Sequence, residues 1–167
     1  MKIRTGLVAL AMVVAAAGVH AAADVAFYEQ ATEGGLAEIE AGKLAQQKAT
    51  SPAIRNFAAT MVTAHSKTND ELKAIASKQG VAVPAKPAIN DAAKLKVIES
   101  LPGERFDSAY VKAQVADHEK MLALLQKEIS VGSDKEAQAF AMKVLPDVKM
   151  HLAMARELAT HLDHSSD

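Results

Sequence analysis

Apolar residues recur at intervals of three and four along most of this chain, which is the pattern of helices that bury one side against other helices. The stretch over residues 111–129 shows this pattern most clearly. Its apolar positions are Val111, Val115, Leu122, Leu125 and Ile129. His118 interrupts the stripe, so we predict that its imidazole points into a core rather than into water.

Two other segments repeat this arrangement. His65 interrupts an apolar stripe over residues 54–75, and His151 interrupts one over residues 137–162. Each histidine therefore occupies a position that the helical period assigns to the buried side. We predict that three helices each direct one imidazole toward a common interior.

A fourth apolar stripe, over residues 27–45, is interrupted by an acid, Glu38. A competing register of the same helix turns Glu38 to the flank and makes Glu40 the inward acid. Counted from the helix ends, Glu38 and the three histidines lie at similar depth, given a rise of about 1.5 Å per residue. The four polar groups are therefore expected to converge near the middle of a helical bundle.

Glycine and proline punctuate an Ala-, Lys- and Glu-rich chain that has no alternating β-branched runs, which predicts an all-α fold. The long helices are expected over residues 24–49, 52–80, 104–131 and 135–162, with Asp24 as the first N-cap and Pro146 as a kink in the last helix. A short extra helix over residues 91–101 lies in the connection between helices two and three. The length of that connection permits a ferritin-like four-helix bundle with a crossover, and an up-down-up-down bundle is the alternative. The two hairpins are also compatible with a distant duplication.

The chain begins with the features of a secretory signal peptide. Lys2 and Arg4 precede an apolar run over residues 6–19, and small residues follow at positions 21–23. We predict a signal peptide over residues 1–23 and a single domain over residues 24–167. The mature protein is then expected to be periplasmic or secreted, with no stable membrane insertion after the signal is removed.

Composition excludes several classes of function. Without Lys2 and Arg4, 17 basic residues face 20 acidic ones, so the formal charge changes from -1 to -3. This balance leaves no basic patch for nucleic acid. The chain has no cysteine, which excludes disulfides, thiolate metal sites and thiol catalysis. Nothing in the sequence indicates a protein partner or an oligomeric state.

The inward polar residues are candidate metal ligands. An unpartnered buried polar group costs about 1–3 kcal/mol, and a cation is the simplest common partner for several neutral imidazoles. We therefore predict one transition-metal ion, zinc, iron or copper, bound by Glu38, His65, His118 and His151. Its role would be metal sequestration or envelope stress tolerance. The alternative is a structural or interaction protein whose histidines form a hydrogen-bonded core without metal.

Residues near the histidines refine this hypothesis. The acids Asp117, Glu119 and Asp147 are candidates to orient the rings, and they are also ordinary surface residues. A methionine within about one turn of each ring leaves a thioether-assisted copper site open. These methionines are Met61, Met121, Met150 and Met154. His161 and His164 lie in the C-terminal tail and are expected to be exposed.

The sequence does not favour an enzyme. No glutamate precedes any of the three inward histidines by three residues, so the Glu-x-x-His signature of di-iron proteins is missing. The sequence also has no nucleophile with a recognisable base and no glycine-rich phosphate loop. A metal-dependent redox enzyme is therefore the third choice.

Several short motifs are similar to those of one family of bacterial envelope proteins. They are residues 34–40 (GGLAEIE), 42–45 (GKLA), 57–65 (FAATMVTAH), 106–107 (FD) with Tyr110, 115–118 (VADH), 145–146 (LP) and 151–153 (HLA). The mature chain resembles the family catalogued as domain of unknown function 4142, which is grouped with ferritin-like bundles. The resemblance implies an exported ferritin-like bundle and implies no activity. Where the family pattern has an acid before the first histidine, this chain has Ala64.

Overall fold

The computed structural model describes residues 14–164, and all of the regular structure in that range is helical. The five helices are α1 (Val14–Lys48), α2 (Pro52–Lys78), α3 (Ile89–Glu99), α4 (Gly103–Val131) and α5 (Lys135–His164). None of the described helices has both the length and the apolarity that a membrane crossing requires. The first thirteen residues of the expected signal peptide lie outside the described range.

The helix ends follow the signals expected from sequence. Pro52 stands at the first position of α2, where its missing N–H costs nothing. Gly80 ends that helix with a φ of 70°, a left-handed conformation that favours glycine. The N–H of Val81 then reaches back to the carbonyl of Ala76. At the start of α5, the carboxylate of Asp134 accepts the N–H of Glu136 at 2.8 Å and so caps the helix.

The expected helix start at Asp24 is wrong. Here α1 begins at Val14, because the alanine-rich stretch before Asp24 favours helix. The carboxylate of Asp24 is buried and accepts hydrogen bonds from another part of the chain rather than from its own helix. Its donors are the N–H groups of Ser133 at 2.9 Å and Asp134 at 3.1 Å.

The helices form two hairpins, α1 with α2 and α4 with α5, which meet along α1–α4 and along α2–α5. One core region joins the first halves of α1 and α5 to the last halves of α2 and α4, through Phe27, Phe140, Leu72 and Leu125. A second core region joins their opposite halves, through Ala45, Ala155, Phe57 and Tyr110. The helices α2 and α4 therefore run in the same direction, opposite to α1 and α5. The connection through α3 is a crossover, not an up-down-up-down link.

A buried carboxylate holds the turn of each hairpin. Asp24 of α1 accepts the N–H groups of the turn between α4 and α5. Asp107 of α4 likewise accepts the N–H groups of Thr50 and Ser51, each at 3.0 Å, in the turn between α1 and α2. Thr50 and Ser133 also donate their hydroxyls to the carboxylates of Asp107 and Asp24, respectively. The two clamps tie each hairpin to the other.

The residues of one clamp correspond to those of the other by a constant shift of 83 positions along the chain. Asp24 corresponds to Asp107 (107 minus 24), and Thr50 corresponds to Ser133 (133 minus 50). The same shift relates buried residues in the cores. The pairs are Phe27 with Tyr110, Ile54 with Ala137, Phe57 with Phe140, and Ala58 with Ala141. The two hairpins therefore have an approximate twofold relation, which agrees with the duplication that the sequence left open.

The helix α5 continues through Pro146. Proline has no N–H, so the carbonyl of Met142 loses its usual partner within the helix. The side chain of Met142 is exposed, so this end of the helix turn faces water. The bend that the sequence predicts at Pro146 stays a prediction.

Candidate metal centre

Three helices bring His65, His118 and His151 together in the interior. The ring centroids are 5.6 Å apart for His65 and His118, and 5.7 Å for each of the other two pairs. One ring nitrogen of each residue lies within 4.8 Å of the others. All three side chains are buried, with at most 7% of any residue exposed. The predicted convergence of three imidazoles from α2, α4 and α5 is thus present in the structure.

The ring of His118 is fixed by its own helix. Its Nδ1 lies 2.8 Å from the carbonyl oxygen of Gln114, one turn earlier in α4. A carbonyl can only accept a hydrogen bond, so Nδ1 carries the proton and Nε2 keeps its lone pair. This is the usual way in which a protein orients an imidazole that binds a metal through its other nitrogen.

Each of the three rings has a buried nitrogen without a hydrogen-bond partner. These atoms are His65 Nε2, His118 Nε2 and His151 Nδ1. A buried polar atom left unpaired costs about 1–3 kcal/mol, and most such atoms in proteins find a partner. Among the described residues, no protein group satisfies these three nitrogens.

Burial lowers the pKa of all three histidines, because a charged imidazole is poorly solvated there. The pKa of His65 falls to about 3, through burial first and then repulsion from the other two rings. For His118 and His151 burial is also the main cause of the lower pKa, opposed by the Gln114 carbonyl in the first case and by Asp147 in the second. The rings are therefore neutral near pH 7, which is the form that coordinates metals.

Glu38 lies beside the three rings, on α1. Its Oε2 accepts a hydrogen bond from Gln114 Nε2 at 2.5 Å, and its Oε1 lies 3.9 Å from Nδ1 of His118. Burial raises the pKa of Glu38 to about 8, against the opposing effect of the Gln114 hydrogen bond. Glu40 is exposed, so the register that places Glu38 inward is the one the structure has.

Glu38 does not belong to the group of residues whose potential ligand atoms lie within 4.8 Å of one another, which consists of the three histidines. It faces the protonated nitrogen of His118, on the side away from the unpaired Nε2. Its assignment as a fourth ligand stays a prediction. Gln114, which joins Glu38 to His118, was not singled out from sequence. Its position four residues before His118, on the same face of α4, was the available signal.

Two of the three acids considered as orienting groups make ion pairs with other residues. Asp117 pairs with Lys94 of α3 at 2.5 Å, and Glu119 pairs with Arg156 of α5 at 2.7 Å. Asp147 is exposed. The orientation of the His118 ring therefore comes from Gln114 and not from one of these acids.

The two tail histidines and the four methionines near the rings differ in how far they are buried. His161 and His164 are exposed, as expected for the tail. Met150 is exposed, Met154 is partly buried, and Met61 is fully buried among core residues. Met121 lines both cavities described next, in company with His65. Of the methionines considered, Met121 is therefore the one best placed to join a copper site.

Two cavities reach the histidines from different sides. One, of about 190 Å³, opens between α1 and α4 and is lined by Glu38, His65 and His118. The other, of about 350 Å³, opens between α2 and α5 and is lined by His65 and His151. An ion or a small molecule could thus reach the centre without unfolding of a helix.

The donor set fits a nitrogen-preferring transition metal. Zinc binds imidazole nitrogens at about 2.0–2.1 Å, which places two ligands of a tetrahedral site about 3.3 Å apart. The nitrogens here lie within 4.8 Å of one another, so binding requires the rings to approach by up to roughly 1.5 Å. Neutral imidazole suits zinc, copper, iron and nickel, and no thiolate or multiple carboxylate set competes for the same position.

A model of the family described as Domain of unknown function (DUF4142) matches residues 9–158. The chain belongs to this family. The matched range contains Glu38, Gln114 and all three histidines, so the whole centre lies within the DUF4142 domain. Comparisons with curated proteins and with solved structures found no match. Membership of DUF4142 therefore supports the family resemblance seen in the sequence and supplies no reaction.

Proposed function

We propose that this DUF4142 protein is an exported ferritin-like four-helix-bundle protein that binds one transition-metal ion. The bundle consists of α1, α2, α4 and α5, and α3 is the short extra helix in the crossover. The directions of the four long helices and the two carboxylate clamps support this fold. The ligands are His65, His118 and His151, with Glu38 beside them.

The three unpaired imidazole nitrogens carry this proposal. A core of hydrogen-bonded histidines, the alternative without metal, needs a donor or acceptor for each ring. Among the described residues only the Gln114 carbonyl fills that role, and it serves the outer nitrogen of His118. One cation satisfies all three inner nitrogens at once, because each ring offers it a lone pair.

The class of the ion follows from its ligands. Imidazole nitrogens favour zinc, copper and iron over magnesium or calcium, which prefer oxygen. Met121 lines both cavities, and its thioether would favour copper(I) if it joined the ligands. The carboxylate of Glu38 would instead favour zinc or iron. The three metals are therefore compared directly in the experiment below.

The biological role that we propose is metal sequestration or delivery in the cell envelope. The charged start, the short apolar run and the small residues before Asp24 support export to the periplasm or the medium. Three buried imidazoles that hold a single ion suit storage or transfer of that ion. No catalytic residue is assigned.

Calorimetric titration of the metal-stripped protein with zinc, copper(I) and iron(II) tests this function. We expect one saturable site near one equivalent for at least one metal, because the three nitrogens serve a single ion. His65→Ala, His118→Ala and His151→Ala should each weaken binding at least about tenfold, or 1.4 kcal/mol.

The controls are His161→Ala and His164→Ala, which remove exposed tail imidazoles. These two variants should bind like the unmodified protein. Equal losses from tail and interior variants, or no saturable site for any metal, would favour the core without metal.

A further inference from the structure

The cavity between α2 and α5, which we call the α2–α5 groove, is built like a binding site for a small molecule. Its volume of about 350 Å³ falls within the usual range for ligand pockets. Its inner wall is apolar and includes Leu72, Leu125, Phe140, Val144 and Val148. Exposed charged residues such as Lys67 and Asp147 line its outer part.

The other polar side chains of the groove are already paired. Thr68 donates its hydroxyl to the carbonyl of Ala64 at 3.0 Å, and Asn69 donates its amide to the carbonyl of Thr32 at 3.2 Å. Lys143 and Glu71 pair with each other across the opening at 2.6 Å. His65 and His151 thus supply the buried lining nitrogens that lack a partner.

The helix α1 has no imidazole at the position that corresponds to His118. Under the 83-position shift that relates the hairpins, the counterpart of His118 in α1 is Gly35 (118 minus 35). Gly35 lines the α2–α5 groove, and a Cβ at this position would lie 2.1 Å from Asn69 Oδ1. No fourth imidazole therefore completes the set from this side.

Three protein ligands with one vacant position are typical of metal sites that bind an exogenous molecule. The two cavities differ in what they offer to such a molecule. The cavity between α1 and α4 contains Glu38, a group of the protein itself. The α2–α5 groove is larger, and its lining combines the apolar residues named above with His65 and His151.

We propose that a metal held by the three histidines keeps one coordination position open to the α2–α5 groove. The groove then binds a small, mainly apolar molecule through one nitrogen or oxygen donor atom. This inference rests on the proposed metal-binding function and adds the class of its ligand. The donor atom binds the metal, and the apolar part replaces water against the inner wall.

The test uses the cobalt(II)-loaded protein, whose visible spectrum reports changes in coordination. Imidazole and phenylimidazole, which adds one phenyl group to the same ring, are titrated in parallel. We expect both to change the spectrum and phenylimidazole to bind at least about tenfold more tightly, because its phenyl group is buried in the groove. Equal affinities, or no spectral change with either compound, would overturn the inference.

Two matched variants locate the bound molecule. Ala64→Met narrows the α2–α5 groove, whereas Ala37→Met adds the same side chain to the cavity between α1 and α4. Ala64→Met should abolish the advantage of phenylimidazole, and Ala37→Met should keep it. The reverse result would place the ligand on the other side and overturn the inference. Val144→Met, from the opposite wall of the groove, replaces Ala64→Met if that variant fails to bind cobalt.

Cobalt uptake is measured first, so the two hypotheses fail in different ways. A wild-type protein that takes up no cobalt overturns this inference, and the calorimetric titration with zinc, copper(I) and iron(II) decides whether the proposed metal centre fails as well. Normal uptake without any preference for phenylimidazole leaves the metal centre intact and contradicts only the open position facing the groove.

Discussion

Gln114 couples the acid and the imidazole of the centre through two different groups. Its backbone carbonyl accepts from His118 Nδ1, and its side-chain amide donates to Glu38. The first contact fixes which nitrogen of His118 faces the other rings, and a change of the Gln114 side chain leaves it in place. The second contact satisfies a buried carboxyl group that has no cationic partner in the described structure.

Paired substitutions test this contact. Gln114→Met or Glu38→Met alone should lower the free energy of unfolding of the metal-stripped protein by about 1–3 kcal/mol, because each leaves one buried polar partner unpaired. The double variant should lose clearly less than the sum, since both polar groups are then gone. Urea denaturation measures these values. Strictly additive losses would contradict a direct hydrogen bond between the two side chains.

Glu128 is a second buried acid, near the clamp formed by Asp24. Burial first, and then the nearby carboxylates of Asp24 and Asp134, raise its pKa to about 7. The folded protein therefore binds more protons than the unfolded chain between the ordinary value of 4.5 and about 7. Stability should fall as the pH rises through this window, because the folded state must then hold an unfavourable charge.

Glu128→Gln removes this charge and should raise the melting temperature at pH 8. Near pH 4 the two proteins should differ little, since Glu128 is then protonated in both the folded and the unfolded chain. Thermal melts at several pH values measure the difference. The control, Glu40→Gln, alters an exposed acid of α1. The same pH dependence in both variants would contradict a role for burial at Glu128.

At the scale of helices and turns, Asp107 and Asp24 join the two hairpins. Asp107 should contribute strongly to the free energy of unfolding, since its carboxylate accepts hydrogen bonds from two backbone N–H groups and a hydroxyl. Asp107→Ala should lower the free energy of unfolding by about 2–4 kcal/mol, given about 1.5–3 kcal/mol for a hydrogen bond to a charged group. Chemical denaturation provides the measurement.

Asp70→Ala is the matched control, because Asp70 is an exposed acid on α2. Its loss should change the stability by no more than about 0.5 kcal/mol. An Asp107→Ala variant as stable as this control would show that the clamp does not hold the turn.

The helices themselves were predictable because their signals are local. Gly80, Pro52 and Asp134 each mark a helix end through backbone chemistry that needs no distant partner. The true start of α1 was not predicted, because Asp24 is used by a turn more than a hundred residues away. Its side chain could serve as an N-cap or as a clamp, and only tertiary contact decides between them.

At the scale of the whole molecule, the order of the helices could not be obtained from the apolar stripes. The stripes of α2 and α4 pack equally well with these helices parallel or antiparallel. The long-range clamps and the two core regions define the crossover. All four candidate ligands were predicted to converge, since matched depth on amphipathic helices is visible in sequence, and the structure brings the three histidines into one group. The sequence did not predict that Glu38 lies on the outward side of His118, because this placement depends on the rotation of α1 about its axis.

The central claim is that the three histidines bind a transition-metal ion in the native protein. The most direct test is the metal content of the protein isolated from its native cells without added metal. We predict about one zinc, iron or copper ion per chain, and little in a variant with all three interior histidines changed to alanine. A variant with His161 and His164 changed to alanine should keep the ion. Wild-type protein that is isolated without metal, or equal metal content in both variants, would contradict this account.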